Sequence, residues 1–271
     1  METNNPIAKS TGLQIRQRDV DFVAATVVFQ ATRHLFPRRP PMDVTYPADA
    51  GATTYLLTVR GKVKTPTIAD ARELHNATAG SPDGVAAARA LGDLSHNVYT
   101  SGGNGAGADE LLFIDYWNSP TGRGQFFADP QVQAGAAQLF YDLEGVLWAP
   151  TSGFGDFHLA TPYTAAPIGV GLLRVGVSSI EGAAPAFNAY AAATINTARR
   201  YGQVAHTTWS RLPNPGETPS LEVIGVDVWS DLEQMNAYYQ LGLGFEHLGP
   251  VFAGQPQTSV WRAADGHWTE W

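Results

Sequence analysis

The sequence predicts an α+β protein in which two βαββαβ units, carried on one chain, close into a barrel. Three observations point there. A strand-to-helix run, Leu111 to Gln133, returns as Leu221 to Gln240, with Asp227 for Asp115, Trp229 for Trp117 and Tyr238-Tyr239 for Phe126-Phe127; the two tryptophans lie 112 residues apart. Around each run the hydrophobic period changes in the same order, strand patterns alternating with capped helical stretches. A lone βαββαβ unit covers only one face of its sheet, so two units turned together bury the face each would leave bare.

Residues 1–50 have no counterpart in the repeat. Val20–Phe29 is a short apolar run, and Pro37-Arg38-Arg39-Pro40-Pro41 forces extended chain, so this segment reads as a leader arm. The first unit, 51–157, opens with a strand over Tyr55–Val63. Thr65-Pro66 starts a helix that runs to about Asn76 and can resume, after Gly80-Ser81-Pro82, as Gly84–Ala90. Strands follow over Leu94–Thr100 and Leu111–Trp117, joined by the loop SGGNGAGAD. Asn118, Ser119 and Pro120 start the second helix, and Gly145–Ala149, carrying Trp148, is the last strand. A linker over 158–170, rich in Pro, Ala and Thr, leads to the second unit, 171–271. There the order repeats: strand Gly171–Val177, a helix from about Ala184 to Arg200 behind a capping box of Ser178 and Glu181, and strand Val204–Ser210. The second copy of the run follows, with its own box of Ser230 and Glu233, and then strand Thr258–Arg262 with Trp261. Gly153-Phe154 and Gly266-His267 fall at matching distances beyond Trp148 and Trp261.

Composition narrows the function. The 271 residues contain no cysteine, which removes disulfides, thiolate nucleophiles and cysteine-ligated metals together and fits a cytoplasmic protein. A net charge of −8 with only 17 Lys+Arg argues against nucleic acid and anionic membrane surfaces, and no stretch is apolar enough to span a bilayer. METNNPIAKS lacks the apolar core of a signal peptide. Small molecules, or other copies of the chain, are the expected partners.

The pattern strand–(D/E)-x-W-x-S–helix–FFADPQVQ resembles the antibiotic-biosynthesis-monooxygenase-like branch of the dimeric α+β barrel superfamily. The resemblance covers about 52–157 and 169–268 and leaves out the leader. It implies tandem ferredoxin-like repeats forming within one chain the barrel that other members build from two. It also implies an activity among cofactor-free oxygenation of phenolic substrates, isomerisation and, in haem-handling relatives, haem chemistry.

The residues supply a matching constellation. His96 and His206 sit in aligned strands, ARALGDLSHNVY and ARRYGQVAHTTW, and each strand is joined by a hairpin to the one carrying Asp115 or Asp227. Loop symmetry places His96 opposite Asp115 and His206 opposite Asp227, within side-chain contact. Strand alternation puts Phe113, Asp115 and Trp117 on the face of His96, and Asp227 and Trp229 on that of His206. The aliphatic face of Leu112, Ile114, Ile224, Val226 and Val228, with Tyr116, is expected under the helices, which directs the His–Asp pairs into the barrel. An aspartate fixes the imidazole tautomer and raises its basicity, the requirement for a general base. The expected site is therefore catalytic His96, Asp115, His206 and Asp227, with Trp117, Trp229 and Phe113 holding an aromatic or polyketide-like substrate whose anion reacts with O₂.

Two other readings stand beside it. The pairs can be satisfied polar contacts in a core, the protein then being a non-catalytic barrel that holds a small hydrophobic ligand or builds an oligomer. Alternatively a histidine ligates haem, although no attachment motif is present; otherwise no cofactor and no metal is expected. His75 reads as a surface or capping residue near a helix end, while His34, His158, His247 and His267 have no evident partner. Gly102-Gly103-Asn104-Gly105 is a hairpin loop without the lysine of a phosphate cradle. Which unit would be active is not legible, though Asp93, Asn97 and Tyr99 stand where the second unit has Gln203, Thr207 and Trp209. Exposed sheet edges and the leader make a homodimer plausible.

Overall fold

The computed structural model describes residues 53–158, 168–214 and 216–271, so the leader and most of the linker lie outside the described residues. The first half runs β1 (Tyr55–Val63), α1 (Ile68–Ala77), α2 (Pro82–Ala90), β2 (Asp93–Ser101), β3 (Glu110–Trp117), α3 (Pro120–Ala128), α4 (Pro130–Leu139) and β4 (Phe140–Pro150). A two-residue strand, β5 (Phe157–His158), follows. The second half runs β6 (Gly169–Gly176), α5 (Ile180–Arg200), β7 (Gln203–Arg211), β8 (Glu222–Trp229), α6 (Leu232–Tyr239), α7 (Phe245–Leu248) and β9 (Gln257–Ala263).

The strand order β4-β1-β3-β2-β9-β6-β8-β7, with β7 returning to β4, closes an antiparallel barrel of eight strands. Each half contributes four strands in the same internal order. The halves join at two seams, β2 with β9 and β4 with β7. Closure joins the edges of the two four-stranded sheets along these seams.

Local chemistry moves three of the expected helix caps by one or two residues and leaves a fourth in place. Thr67, not Thr65, caps α1 by accepting from Asp70 N, while Ser119 caps α3 as expected. Ser179, not Ser178, caps α5, and Asp231, not Ser230, caps α6. Ser230 instead donates its backbone N–H to Gly202 O, as Asn118 does to Gly92 O, both at 2.9 Å. Those glycines have φ of 91° and 102° respectively, a backbone that glycine adopts without a steric penalty. The first crossover is broken, with Ser81 capping a separate α2, whereas α5 is continuous over 21 residues.

The barrel interior overturns the expected facing. It is filled from all eight strands by Leu56, Tyr99, Leu112, Ile114, Tyr116, Val146, Trp148, Val170, Trp209, Ile224, Val226 and Trp261. The aliphatic face therefore points inward, and Phe113, Trp117 and Val98 lie outside it, beneath α1 to α4 with Phe126 and Leu139. Alternation grouped the residues correctly, but both faces of this sheet are covered and apolar, so hydrophobicity does not say which is inner. Trp117 packs on Phe126 and Phe127 at 5.7 and 6.2 Å between ring centroids, and Trp229 on Tyr238 and Tyr239 at 4.9 and 5.5 Å. These aromatics come from helices, and helices cover the outer face.

Candidate functional site

Both predicted cross-strand pairs form. His96 stands opposite Asp115 and His206 opposite Asp227. His96 Nδ1 lies 2.7 Å from Asp115 Oδ1, and His206 Nδ1 lies 2.6 Å from Asp227 Oδ1. A bulge precedes each histidine, between Asp93 and Ser95 and between Gln203 and Ala205. It shifts the strand by one residue, so Asp93 and Gln203 stand opposite Trp117 and Trp229. The pairs lie between the sheet and the helices rather than in the barrel.

Each pair is covered by the other half. Beyond β4, Phe157 in β5 pairs with His206, and its ring stacks on the imidazole at 6.3 Å. Beyond β9, Trp271 exchanges both backbone hydrogen bonds with His96, and its ring stacks at 4.6 Å. Two residues past each histidine, a free strand N–H finds a carboxylate from the same covering segment: Thr208 N–H donates to Asp156 at 3.0 Å and Val98 N–H to Glu270 at 2.8 Å.

The halves then diverge. Around His96 the space is full. His75, expected at the surface, is completely buried, and its Nε2 is 3.1 Å from His96 Nε2. Trp268 packs on the His75 ring at 5.3 Å. The tautomers follow from Asn76, whose amide is oriented by two backbone groups: Nδ2 donates to His267 O and Oδ1 accepts from Thr269 N–H. Oδ1 therefore also accepts from His75 Nδ1, at 3.1 Å. Neutral His75 then accepts at Nε2, His96 must donate from Nε2, and one mobile proton is left between His96 Nδ1 and Asp115. Burial acts on both partners. It lowers both histidines to about 4 and holds Asp115 well above the carboxylate range. Asp93 is pushed up to about 9 by burial and by the neighbouring Asp115. Burial thus outweighs any gain from Asp115, and His96 is lowered where its partner was expected to raise it.

Around His206 there is space. Its helix-side core is split in two, Phe187 with Phe154 and Val175 at one end, Ala198 with Trp229 and Tyr238 at the other. Between them a cleft of about 230 Å³, counted with its open mouth, is lined by Phe157, Tyr190, Ala191, Thr194, Ile195, Gln203, His206 and Tyr238. The room in it for the centre of a water-sized sphere is about 10 Å³, enough for one water. Here Asp227 is held on both oxygens, Tyr239 donating its hydroxyl to Oδ2 at 3.0 Å while Trp229 Nε1 donates to that hydroxyl at 3.3 Å. Burial alone would lower His206, but the Asp227 charge and hydrogen bond, with Asp156 nearby, hold it above the ordinary histidine value. His158 is lowered by burial, against the pull of Asp156. Of the predicted aromatics, Trp229 supports the pair through Tyr239, while Trp117 and Phe113 are packed core around the filled site. Tyr239, Asp156 and Phe157 were not anticipated. Tyr239 was visible as the hydroxylated counterpart of Phe127; the crossing of Phe157 from the other half had no sequence signal.

Neither a protein-family model nor a curated protein matches the chain by sequence. Solved structures do match by shape. An anthrone oxidase-like protein aligns with TM-score 0.55 at 12% identity, over 79% of this chain and 92% of its own. A putative monooxygenase from Fusobacterium nucleatum aligns at 0.51 and 10%, over 81% and 98%. Another from Lactobacillus acidophilus aligns at 0.50 and 10%, over 78% and 93%. What they share with this chain is the α+β barrel. At the two paired histidines the described residues offer haem no open axial position. Both ring nitrogens of His96 are engaged under packed indoles, and the cleft beside His206 narrows to the size of a water. Among the described residues no three His, Asp or Glu side chains gather as a metal site, and no helix is long and apolar enough to cross a membrane.

Proposed function

We propose that the protein is a small-molecule enzyme whose working site is the His206–Asp227 pair. The observation that carries this reading is the cleft: His206 lines it, whereas both ring nitrogens of His96 are already engaged. With Nδ1 committed to Asp227, Nε2 is the ring nitrogen available to take a proton, and the raised basicity suits a general base near neutral pH. Phe157, Tyr190 and Tyr238 offer aromatic faces to a compact phenolic or enolisable ring. The small room in the cleft implies that only the reacting edge enters unless Tyr190 or Tyr238 swings aside.

The oxidative version of this chemistry needs no group beyond the substrate and O₂. Removal of a proton from an activated CH₂ or phenol gives an electron-rich anion. Its reaction with O₂ converts the CH₂ to a carbonyl, the second oxygen leaving as water. The names of the fold neighbours, anthrone oxidase-like and monooxygenase, agree with that class of reaction and do not specify the substrate here.

Oxygen uptake with a panel of anthrones, hydroquinones and phenols tests this. His206→Gln and Asp227→Asn should each lower kcat about 10²- to 10⁴-fold, the range for a lost general base, while His96→Gln leaves kcat within a few-fold. Because the base works only when neutral, kcat/KM should rise with pH through a midpoint above 6.5, the ordinary value. Equal losses from both histidines, or none from His206, would sink the proposal.

A further inference from the structure

We propose that Tyr239 is the positioning residue that tunes the His206–Asp227 pair, and that Gly171 exists at its position to admit the tyrosine hydroxyl. The inference rests on the site described above and adds to it the device separating the working pair from its silent counterpart. Gly171 stands opposite Asp227 in the β6–β8 ladder. A Cβ at that position would lie 2.0 Å from the Tyr239 hydroxyl oxygen, so no residue but glycine leaves the tyrosine where it is. The φ of Gly171 is not in the left-handed region, so the requirement is for space and not for backbone freedom.

The first half provides the comparison. Opposite Asp115 stands Leu57, and the counterpart of Tyr239 is Phe127, which has no hydroxyl. The consequence is visible at the indoles. Trp229 Nε1 donates to Tyr239, whereas Trp117 Nε1 is buried without a hydrogen bond of ordinary geometry and lends Asp115 only a weaker attraction. Asp115 thus lacks the hydroxyl that Asp227 has, and burial holds it well above the carboxylate range.

Charge fixes the direction of the effect. The protonated pair is net neutral in either arrangement of its proton, and the deprotonated pair carries one negative charge on Asp227. A hydroxyl donated to Oδ2 stabilises the deprotonated form more, so Tyr239 lowers the pH at which the base becomes free. The other groups facing His206 are Asp156 and His158 from the covering segment, Tyr190 from α5 and Tyr238 from α6. Arg199 of α5 lies over the Phe157 ring at 4.7 Å. All of these stay in place when only the Tyr239 hydroxyl is removed.

The test is an NMR titration of the His206 imidazole in the full-length protein without substrate, assigned by its disappearance in His206→Gln. Tyr239→Phe should move the midpoint upward by about half a pH unit, a part of the worth of a hydrogen bond to a charged group, since the lost hydroxyl faces Asp227 in both states. Gly171→Ala, which keeps the tyrosine but displaces its hydroxyl, should shift it the same way. An unmoved midpoint in folded Tyr239→Phe overturns the inference, and a lowered melting temperature alone would mark the tyrosine as packing. Should Gly171→Ala fail to fold, Tyr239→Phe still decides. Since no substrate is present, this result stands or falls independently of whether any phenol is oxidised.

Discussion

At the scale of single residues, the two His–Asp pairs show how little identity alone determines. Both have Nδ1 on a carboxylate oxygen at nearly the same distance, yet the imidazoles shift in opposite directions. Burial lowers His96, whereas at His206 the charge and hydrogen bond of Asp227 outweigh it. Asp93 adds a second buried carboxyl beside Asp115, and its Oδ1 has no hydrogen-bond partner, a tolerable arrangement only for a neutral acid. Its folded pKa of about 9 lies above the ordinary 3.8, so between those values the folded protein holds a proton that the unfolded chain has lost. Stability therefore falls as pH rises through that window. Asp93→Asn should melt a few degrees higher than the parent at pH 8 and no higher near pH 4, as calorimetry would show. His75 and His96, lowered to about 4, act on the other side: their contribution is present above 6.5 and lost as pH falls toward 4. The sequence named His96, Asp115, His206 and Asp227 and flagged the Asp93/Gln203 difference. It did not reveal which pair is charged, because that depends on burial by residues far away in the chain.

At the scale of elements, the hairpins were the most legible part. The loop midpoint between two strands sets the register, and a pairing read from symmetry held to the residue in both halves. Helix caps were displaced because Ser, Thr and Asp cluster at each start, and the chain entry angle selects among them. The inner and outer faces were exchanged because a doubly covered sheet has no polar side to mark it. The segment after β9 was legible only as a matched glycine. Gly266, with φ of 92°, turns the chain, and Trp268 then packs on His75 in the core around His96. Trp268→Ala should cost about 3 to 5 kcal/mol, the usual range for emptying a core of an indole, and denaturant titration would measure it. A much smaller loss would mean that the segment is only loosely seated.

At the scale of the molecule, closure is the decisive event. The seams are short, three residue pairs each, against eight in the β1–β3 and β6–β8 ladders. Trp148 and Trp261, both fully buried, compensate from within, their indole nitrogens bonded to Thr58 and Ser259 at 2.9 and 2.8 Å. Each is capped by an arginine from the other half: Arg174 over Trp148 at 5.6 Å and Arg60 over Trp261 at 5.1 Å. These arginines are held by Glu222 and Glu110 at 2.6 and 2.7 Å. Hydrogen exchange should accordingly reach the β2–β9 and β4–β7 amides before those of β1–β3 and β6–β8. The reverse order would show that the ladders within a half open first. The barrel itself was foreseeable from one argument about uncovered sheet faces; the crossing of its covering segments was not.

That crossing makes ownership of each site disagree with the order of the chain. Asp156 and Phe157 precede the second half in sequence but serve His206, and Trp271 closes a pocket whose histidine lies 175 positions earlier. A substitution assigned by position to one half will report its effect in the other. Anyone transplanting the His206 chemistry into another barrel must carry residues from both sides of the linker, since neither half contains a whole site.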